Sequence, residues 1–185
     1  LSEIPSTFMI LQDVSQSMNV TDLQPSRFEA ARIAIELLLD KVGVNDLVGY
    51  LAFAGEVYGV QQPTLDREAV EEVMEGQTLH SATAMGTAIQ TATGMLDPYQ
   101  SGKAIILLSD GKNNFGVDPE EAAAAALDRN VTIFSIFFGA YGIGTSDPVL
   151  LRNISETTGG QMYTVSTEDL DSLTLQASKV AQEAK

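Results

Sequence analysis

The chain contains no cysteine and a single histidine, His80, in 185 residues. Without cysteine there are no disulfides, no thiolate metal sites and no thiol nucleophile. The compartment stays open, because a domain of this length can bury a sufficient core without bridges. A lone histidine and the lack of a G-x-S-x-G elbow make a serine–histidine triad a poor reading. Long apolar runs are also missing. No stretch approaches the ~20 uninterrupted apolar residues that a bilayer-spanning helix needs, so no insertion of this segment into a membrane is expected. Basic side chains are few, 10 against 25 acidic ones, for a net charge of −15. Such a surface repels polyanions, which argues against nucleic acid as a partner. The acidity is spread along the chain and reads first as a solvating surface, with attraction of cations or of a basic partner as the sharper alternative. The chain begins at Leu1 and carries no signal-peptide pattern, so a piece of a longer protein is expected.

What is present is an ordinary globular composition, 44 % hydrophobic and 19 % charged, of a length suited to one domain over 1–185. Continuous apolar runs at 7–11, 104–108 and 131–138 fit strands buried on both faces, as in a parallel sheet. Asp46 to Phe53 reads as another strand, after which Gly55 turns the chain into a short run from Val57 to Val60, an expected antiparallel edge. Between these lie helices with start signals. Ser26 and Glu29 form a capping box ahead of the stripe Phe28, Ala31, Ile35, Leu38 and Val42. Asp118-Pro119 with Glu121 precedes five alanines, and Asp147-Pro148 opens a further helix. Asp66 to Met74 and Met85 to Leu96 are predicted helical. Thr167 is predicted to cap a last helix with the stripe Leu170, Leu173, Ala177 and Val180. The order β-α-β-β-α-α-β-α-β-α-β-α predicts an α/β, Rossmann-like, doubly wound sheet. It should have six strands, mostly parallel, with one antiparallel edge strand and helices on both faces.

Asp13-Val14-Ser15-Gln16-Ser17 directly follows the first apolar run, and Asp110-Gly111 follows the run at 104–108. Both acids therefore fall at the carboxyl ends of buried strands, where open α/β sheets bind ligands beyond a reversal of strand order. If the first and fourth strands are neighbours, Asp13 and Asp110 converge. Thr83, expected to open the helix before the fourth strand, reaches the same crevice. Two carboxylates and three hydroxyls, with neither imidazole nor thiolate, form a hard oxygen set. Such a set suits Mg²⁺, or alternatively Mn²⁺ or Ca²⁺, and disfavours Zn²⁺ and Cu²⁺.

The three stretches Asp13-x-Ser15-x-Ser17, Thr83-Ala84-Met85-Gly86-Thr87 and Leu107-Leu108-Ser109-Asp110-Gly111 together resemble a known signature. It is the metal-ion-dependent adhesion site (MIDAS) of the von Willebrand factor type A (VWA) family. The resemblance covers the whole chain and points most nearly to bacterial Bat-type (aerotolerance) members. Supporting stretches are Pro25-Ser26-Arg27-Phe28-Glu29-Ala30-Ala31, Phe53-Ala54-Gly55, Asn113-Asn114 and Thr158-Gly159-Gly160. It implies an adhesion or assembly module rather than an enzyme. Ser15, Ser17 and Thr83 would donate hydroxyl oxygens to the metal, and Asp13 and Asp110 would bind it directly or through water. An Asp or Glu of a protein partner would fill the open position. It further implies a membrane-anchored parent with this domain on one side, periplasmic, extracellular or cytoplasmic, and work alongside a MoxR-type AAA+ ATPase. Two departures concern the rim: Gln16 stands where glycine is common, and Ser81-Ala82 where a glycine-rich pair is usual.

Two other readings compete. A strand ending in Asp13 is shared with aspartate-nucleophile, Mg²⁺-dependent phosphatases, but Ser15 occupies the position of their general acid. A VWA scaffold without a functional metal is the other. Ser81 and Thr87 are rival hydroxyls for the place of Thr83. Gln16, His80, Asn113, Asn114 and Tyr141 are candidates for a partner-binding rim, and Phe115 for a loop beside it. Gly139 to Gly144 lacks dinucleotide-binding spacing and reads as a glycine-rich turn. Phe137 and Phe138 read as core on opposite faces, and Asp22, Glu56 and Glu120 as solvated or capping residues.

Overall fold

A computed structural model describes residues 5–100, 102–139, 146–165, 171 and 174–176. Strands β1 (Thr7–Asp13), β2 (Leu47–Phe53), β3 (Val57–Thr64), β4 (Lys103–Ser109), β5 (Val131–Phe137) and β6 (Met162–Tyr163) form one sheet in the order β3-β2-β1-β4-β5-β6. Every neighbouring pair is parallel except β2 with β3. The helices are α1 (Arg27–Lys41), α2 (Arg67–Glu75), α3 (Met85–Leu96), α4 (Pro119–Asp128) and α5 (Pro148–Thr157), with a 3₁₀ turn at Gln16–Asn19. Element order and sheet type match the expectation from hydropathy. The predicted last helix, with Thr167, Leu170, Leu173, Ala177 and Val180, lies outside the described residues, although 171 and 174–176 are helical.

Strand alternation sorts the core into two layers. Phe8 and Ile10 of β1, Val48, Tyr50 and Ala52 of β2, and Ala104, Ile106 and Leu108 of β4 pack with the α1 stripe and with Val70 and Met74 of α2. Met9, Leu11, Leu51, Phe53, Ile105 and Leu107 point the other way, onto Met85, Ala88, Ile89 and Ala92 of α3 and the apolar faces of α4 and α5. Phe137 and Phe138 fall in opposite layers. Each fully buried Leu or Ile contributes ~1.5–3 kcal/mol relative to exposure. With both faces covered, β1 is the most enclosed strand, and all seven of its residues are buried.

Local capping follows the sequence signals with small shifts. Ser26 accepts from the Glu29 N–H, Asp118 from Glu120 and Asp147 from Leu150. The strand expected from Asp46 begins instead at Leu47, because Asp46 is a loop brace whose carboxylate accepts from the backbone N–H groups of Ser6 and Gly43. The edge strand β3 runs to Thr64, not Val60. Its residues alternate between half-buried and exposed, and that weak contrast hid its length.

Gly111 locks the end of β4 to the start of α5. Its φ is +84°, and a Cβ there would lie 1.9 Å from the Asp147 carbonyl oxygen, while the Asp147 N–H donates to the Asp110 carbonyl at 2.7 Å. Gly94 in α3 is the opposite case, with open space around its missing Cβ. Gly111→Ala combines a left-handed backbone penalty of ~1–2 kcal/mol with a backbone clash of ~1–3 kcal/mol. Gly94→Ala gains helix propensity worth up to ~1 kcal/mol. Urea unfolding should therefore show the first variant destabilised by about 3 kcal/mol and the second stabilised. Equal midpoints for the two would contradict this packing.

Candidate functional site

The site sits at the carboxyl ends of β1 and β4, adjacent strands on either side of the reversal in strand order. β1 runs outward to β2 on one side and β4 to β5 on the other, so the connections leaving β1 and β4 part and open a crevice. Asp13 is the last residue of β1, and Asp110 directly follows β4. Both are fully buried.

Each carboxylate is held by several donors. Asp13 Oδ1 accepts from the Ser15 backbone N–H at 2.9 Å and the Ser15 hydroxyl at 2.5 Å, and Oδ2 accepts from the Ser109 hydroxyl at 2.7 Å. The Ser15 and Ser17 hydroxyls lie 3.2 Å apart. Asp110 Oδ1 accepts from the Lys112 backbone N–H at 2.9 Å, Oδ2 from Arg27 at 3.1 Å, and the carboxylate also accepts from the Ser17 hydroxyl. These donors favour the ionised forms, yet removal from water outweighs them. Burial first, and the neighbouring Asp110 charge second, push the Asp13 carboxyl up to about 7. Burial also raises the Asp110 carboxyl above the usual range.

Above the acids lies a hollow of about 280 Å³ lined by Ser15, Gln16, Ser17, Ala82, Thr83, Lys112 and Asn114. Thr83 comes from another part of the chain and is fixed by its backbone. Its N–H donates to the Asn114 side chain at 2.9 Å, and its carbonyl accepts from the N–H groups of Asn114 and Phe115. Contrary to the expectation from sequence, Thr83 does not open α3. Ala84 holds the cap position, and the Asn113 side chain accepts the Met85 N–H at 2.9 Å. The Thr83 hydroxyl is thereby left without a capping duty, and it makes no hydrogen bond to a described residue. Thr87, its rival, accepts the Val117 N–H instead, and Ser81 is exposed and does not line the hollow. Ala82 adopts φ +65°, a left-handed conformation at the position where glycine was noted as usual.

The rim candidates divide. Gln16 and Asn114 line the hollow. Asn113 is committed to the start of α3. His80 touches the site through its backbone, whose N–H donates to the Val14 carbonyl, while its ring stacks on Tyr58 with centroids 3.6 Å apart. Tyr141 lies outside the described residues. Two contributors were not assigned from sequence. Ser109 was seen as part of a motif but not as the donor to Asp13. Arg27 has a fully buried side chain that bonds Asp110, the Ser17 carbonyl and both oxygens of Asp22. Asp22 is therefore an ion-pair partner, not the solvated residue expected. The signal was available: Arg27 lies four and seven residues before Ala31 and Ala34, on the apolar face of α1.

Among the described residues no group of three or more His, Cys, Asp or Glu side chains could hold a metal. A cation here would have to complete its shell from hydroxyls and solvent, which suits Mg²⁺ and not Zn²⁺. The donor set fits a hard divalent ion. Two buried, mutually repelling carboxylates gain most from a positive charge between them, and three hydroxyl-bearing residues line the hollow above.

A family model described as von Willebrand factor type A domain matches residues 8–112. The chain is 31 % identical over 184 residues to a UPF0353 protein of Mycobacterium bovis (strain BCG / Pasteur 1173P2), covering 86 % of this chain and 55 % of that protein. The chain thus spans little more than half the length of the curated relatives it matches. Among solved structures it is similar to the conserved hypothetical protein BatB from Bacteroides thetaiotaomicron, with a TM-score of 0.83 and 26 % identity over 96 % of this chain and 99 % of that one. An aerotolerance-related membrane protein from Bacteroides fragilis shares the fold at TM-score 0.77 and 23 % identity, over 96 % of this chain and 98 % of that one. With the strand order, the crevice and these matches together, the chain belongs to the von Willebrand factor type A domain family.

Proposed function

We propose that this domain is a protein-binding module that recognises an acidic side chain of its partner through a divalent cation, Mg²⁺ in the first instance. The observation that carries the reading is the pair of buried carboxylates, Asp13 and Asp110, beneath a hollow lined by Ser15, Ser17 and Thr83. A protein rarely keeps two like charges in contact away from water unless they serve a ligand. Asp13, Ser15, Ser17, Thr83 and Asp110 would hold the ion, which supplies a Lewis-acidic centre for a carboxylate oxygen.

The surrounding residues serve binding rather than turnover. Ser109 and the Ser15 N–H fix the Asp13 carboxylate, and Arg27 fixes that of Asp110, so the charged oxygens are aimed before any ligand arrives. Arg27 also offsets one of the two negative charges, leaving the site less than fully neutralising toward a divalent ion and so receptive to an anion. The His80 ring is engaged with Tyr58, and Ser15 occupies the place of a proton donor, which gives the phosphatase alternative no general acid. No helix of the described residues is long and apolar enough to cross a membrane. The membrane-anchored parent and a MoxR-type ATPase as associate belong to this proposal by family analogy.

The reading is tested by heat and calorimetry. At Mg²⁺ a hundredfold above Kd, linkage adds about 2.7 kcal/mol of stability, a rise of roughly 5–10 °C for a domain of this size. Asp13→Asn removes one of two buried like charges. The metal-free variant should melt higher than the metal-free parent and show no rise with Mg²⁺. Thr83→Val keeps the backbone splint to Asn114 and loses only the hydroxyl. Its metal-free melting point should match the parent's, while its Mg²⁺ affinity falls about tenfold or more. A parent chain indifferent to Mg²⁺ and Mn²⁺ would overturn the proposal and favour a scaffold.

A further inference from the structure

Lys112 is one of few basic side chains in a chain with 25 acidic and 10 basic residues, and it is placed where the others are not. Among the described residues Arg27, Arg32, Lys41 and Arg129 pair with carboxylates, while Arg67, Lys103, Arg152 and Lys112 form no ion pair, and of these four only Lys112 lines the hollow. Lys112 lines the hollow, yet its ammonium has no carboxylate partner among the described residues. The two carboxylates of the site are already engaged. Asp110 takes the Lys112 backbone N–H, Arg27 and Ser17, and Asp13 takes Ser15 and Ser109. The backbone beneath Lys112 is pinned, with Gly111 held by the Ser109 hydroxyl at 3.0 Å and packed against Asp147. The lysine thus extends from a pinned backbone at the wall of a hollow whose Ser15 and Ser17 are bonded to the two buried carboxylates behind them, and it is half-buried.

We infer that Lys112 is a specificity-determining residue of the partner site, reading a second carboxylate beside the one that enters the hollow, so that the module selects a protein segment with two neighbouring acidic residues. The inference rests on the reading above, in which one acidic side chain reaches the cation. Charge complementarity selects this occupant over others. The domain carries a net charge of −15, which repels an acidic segment everywhere except where a local positive charge offsets it. An ammonium at the wall supplies that offset beside the first carboxylate. It also penalises a partner that puts a basic side chain there, which is how a rim charge discriminates between partners. A lysine is a compact point charge on a flexible stem, so it tolerates either Asp or Glu as the second residue.

The experiment uses blocked five-residue peptides with the full 185-residue chain in saturating Mg²⁺: Gly-Gly-Asp-Gly-Gly, Gly-Asp-Asp-Gly-Gly and Gly-Lys-Asp-Gly-Gly. Affinities are read by calorimetry or by competition. The parent should bind the two-acid peptide about three- to tenfold more tightly than the one-acid peptide, a preference that shrinks with salt. Lys112→Met should erase that preference while binding Mg²⁺ at least as tightly, since it removes a nearby positive charge. Lys112→Glu should reverse it in favour of the lysine-bearing peptide, a gain that a merely structural lysine could not produce. Equal preferences in parent and variants, with Mg²⁺ binding intact, would overturn the role of Lys112 and leave the metal reading standing. Failure of all three peptides to bind the Mg²⁺-loaded parent at millimolar concentration would overturn the recognition of a carboxylate itself, and the inference with it. Inorganic phosphate displacing the two-acid peptide at equal concentration would replace the protein segment with a small anion as the occupant. No Mg²⁺ binding by the parent would instead remove the reading on which the inference rests.

Discussion

Two like-charged carboxylates held out of water beside one another are costly, and most of the local architecture around Asp13 and Asp110 answers that cost. Three kinds of donor are arranged about them: hydroxyls from Ser15, Ser17 and Ser109, backbone N–H groups of Ser15 and Lys112, and the guanidinium of Arg27. Even so, the Asp13 carboxyl is left well above its ordinary range. The domain keeps this electrostatic debt at the end of its most enclosed strand, where the cores on both sides of the sheet hold β1 in place. A site built on loops alone would swell apart to relieve the repulsion. One built on adjacent parallel strands cannot, because the register of β1 with β4 fixes where the two chains end.

This explains how legible the molecule was from its amino acids. The strands are continuous apolar runs because they are covered on both faces, and such runs stand out without any alignment. Asp13 and Asp110 stood out for the same reason, as the first charged residues after those runs. The helices with acidic or hydroxyl caps, at Ser26, Asp66, Asp118 and Asp147, could be placed to within a residue or so. What was not legible depends on tertiary approach. Nothing in the sequence near Met85 says that its N–H will be capped by Asn113, 28 positions away. Thr83 was consequently given a helix-opening duty it does not have. The length of β3 was obscured because an edge strand half in water lacks the apolar contrast of its neighbours.

Arg27 shows a different kind of blindness. A buried arginine on an apolar helix face is visible as a break in pattern, but its purpose is not. It spans the loop after β1, through the Ser17 carbonyl, the approach to α1, through Asp22, and the end of β4, through Asp110. Removing one member of such a buried set leaves uncompensated charge, at a cost of ~3–5 kcal/mol. Fold and site therefore share parts here. The first α-helix is tied to the crevice by an ion pair rather than by packing alone, and the acid proposed as a metal ligand also anchors a helix.

The splint between Thr83 and residues 113–115 has a mechanical corollary. Thr83 offers both its amide and its carbonyl to that loop, so it cannot slide independently of it. The loop continues through Gly116 and Val117, which lie against Thr87 and Gly86 of α3, into Asp118 at the head of α4. Were the threonine to shift on engaging a ligand, the displacement would be handed on through this short rigid chain to a helix on one flank of the sheet. Occupancy of the crevice would then be readable from the side of the domain, at a distance from whatever had docked.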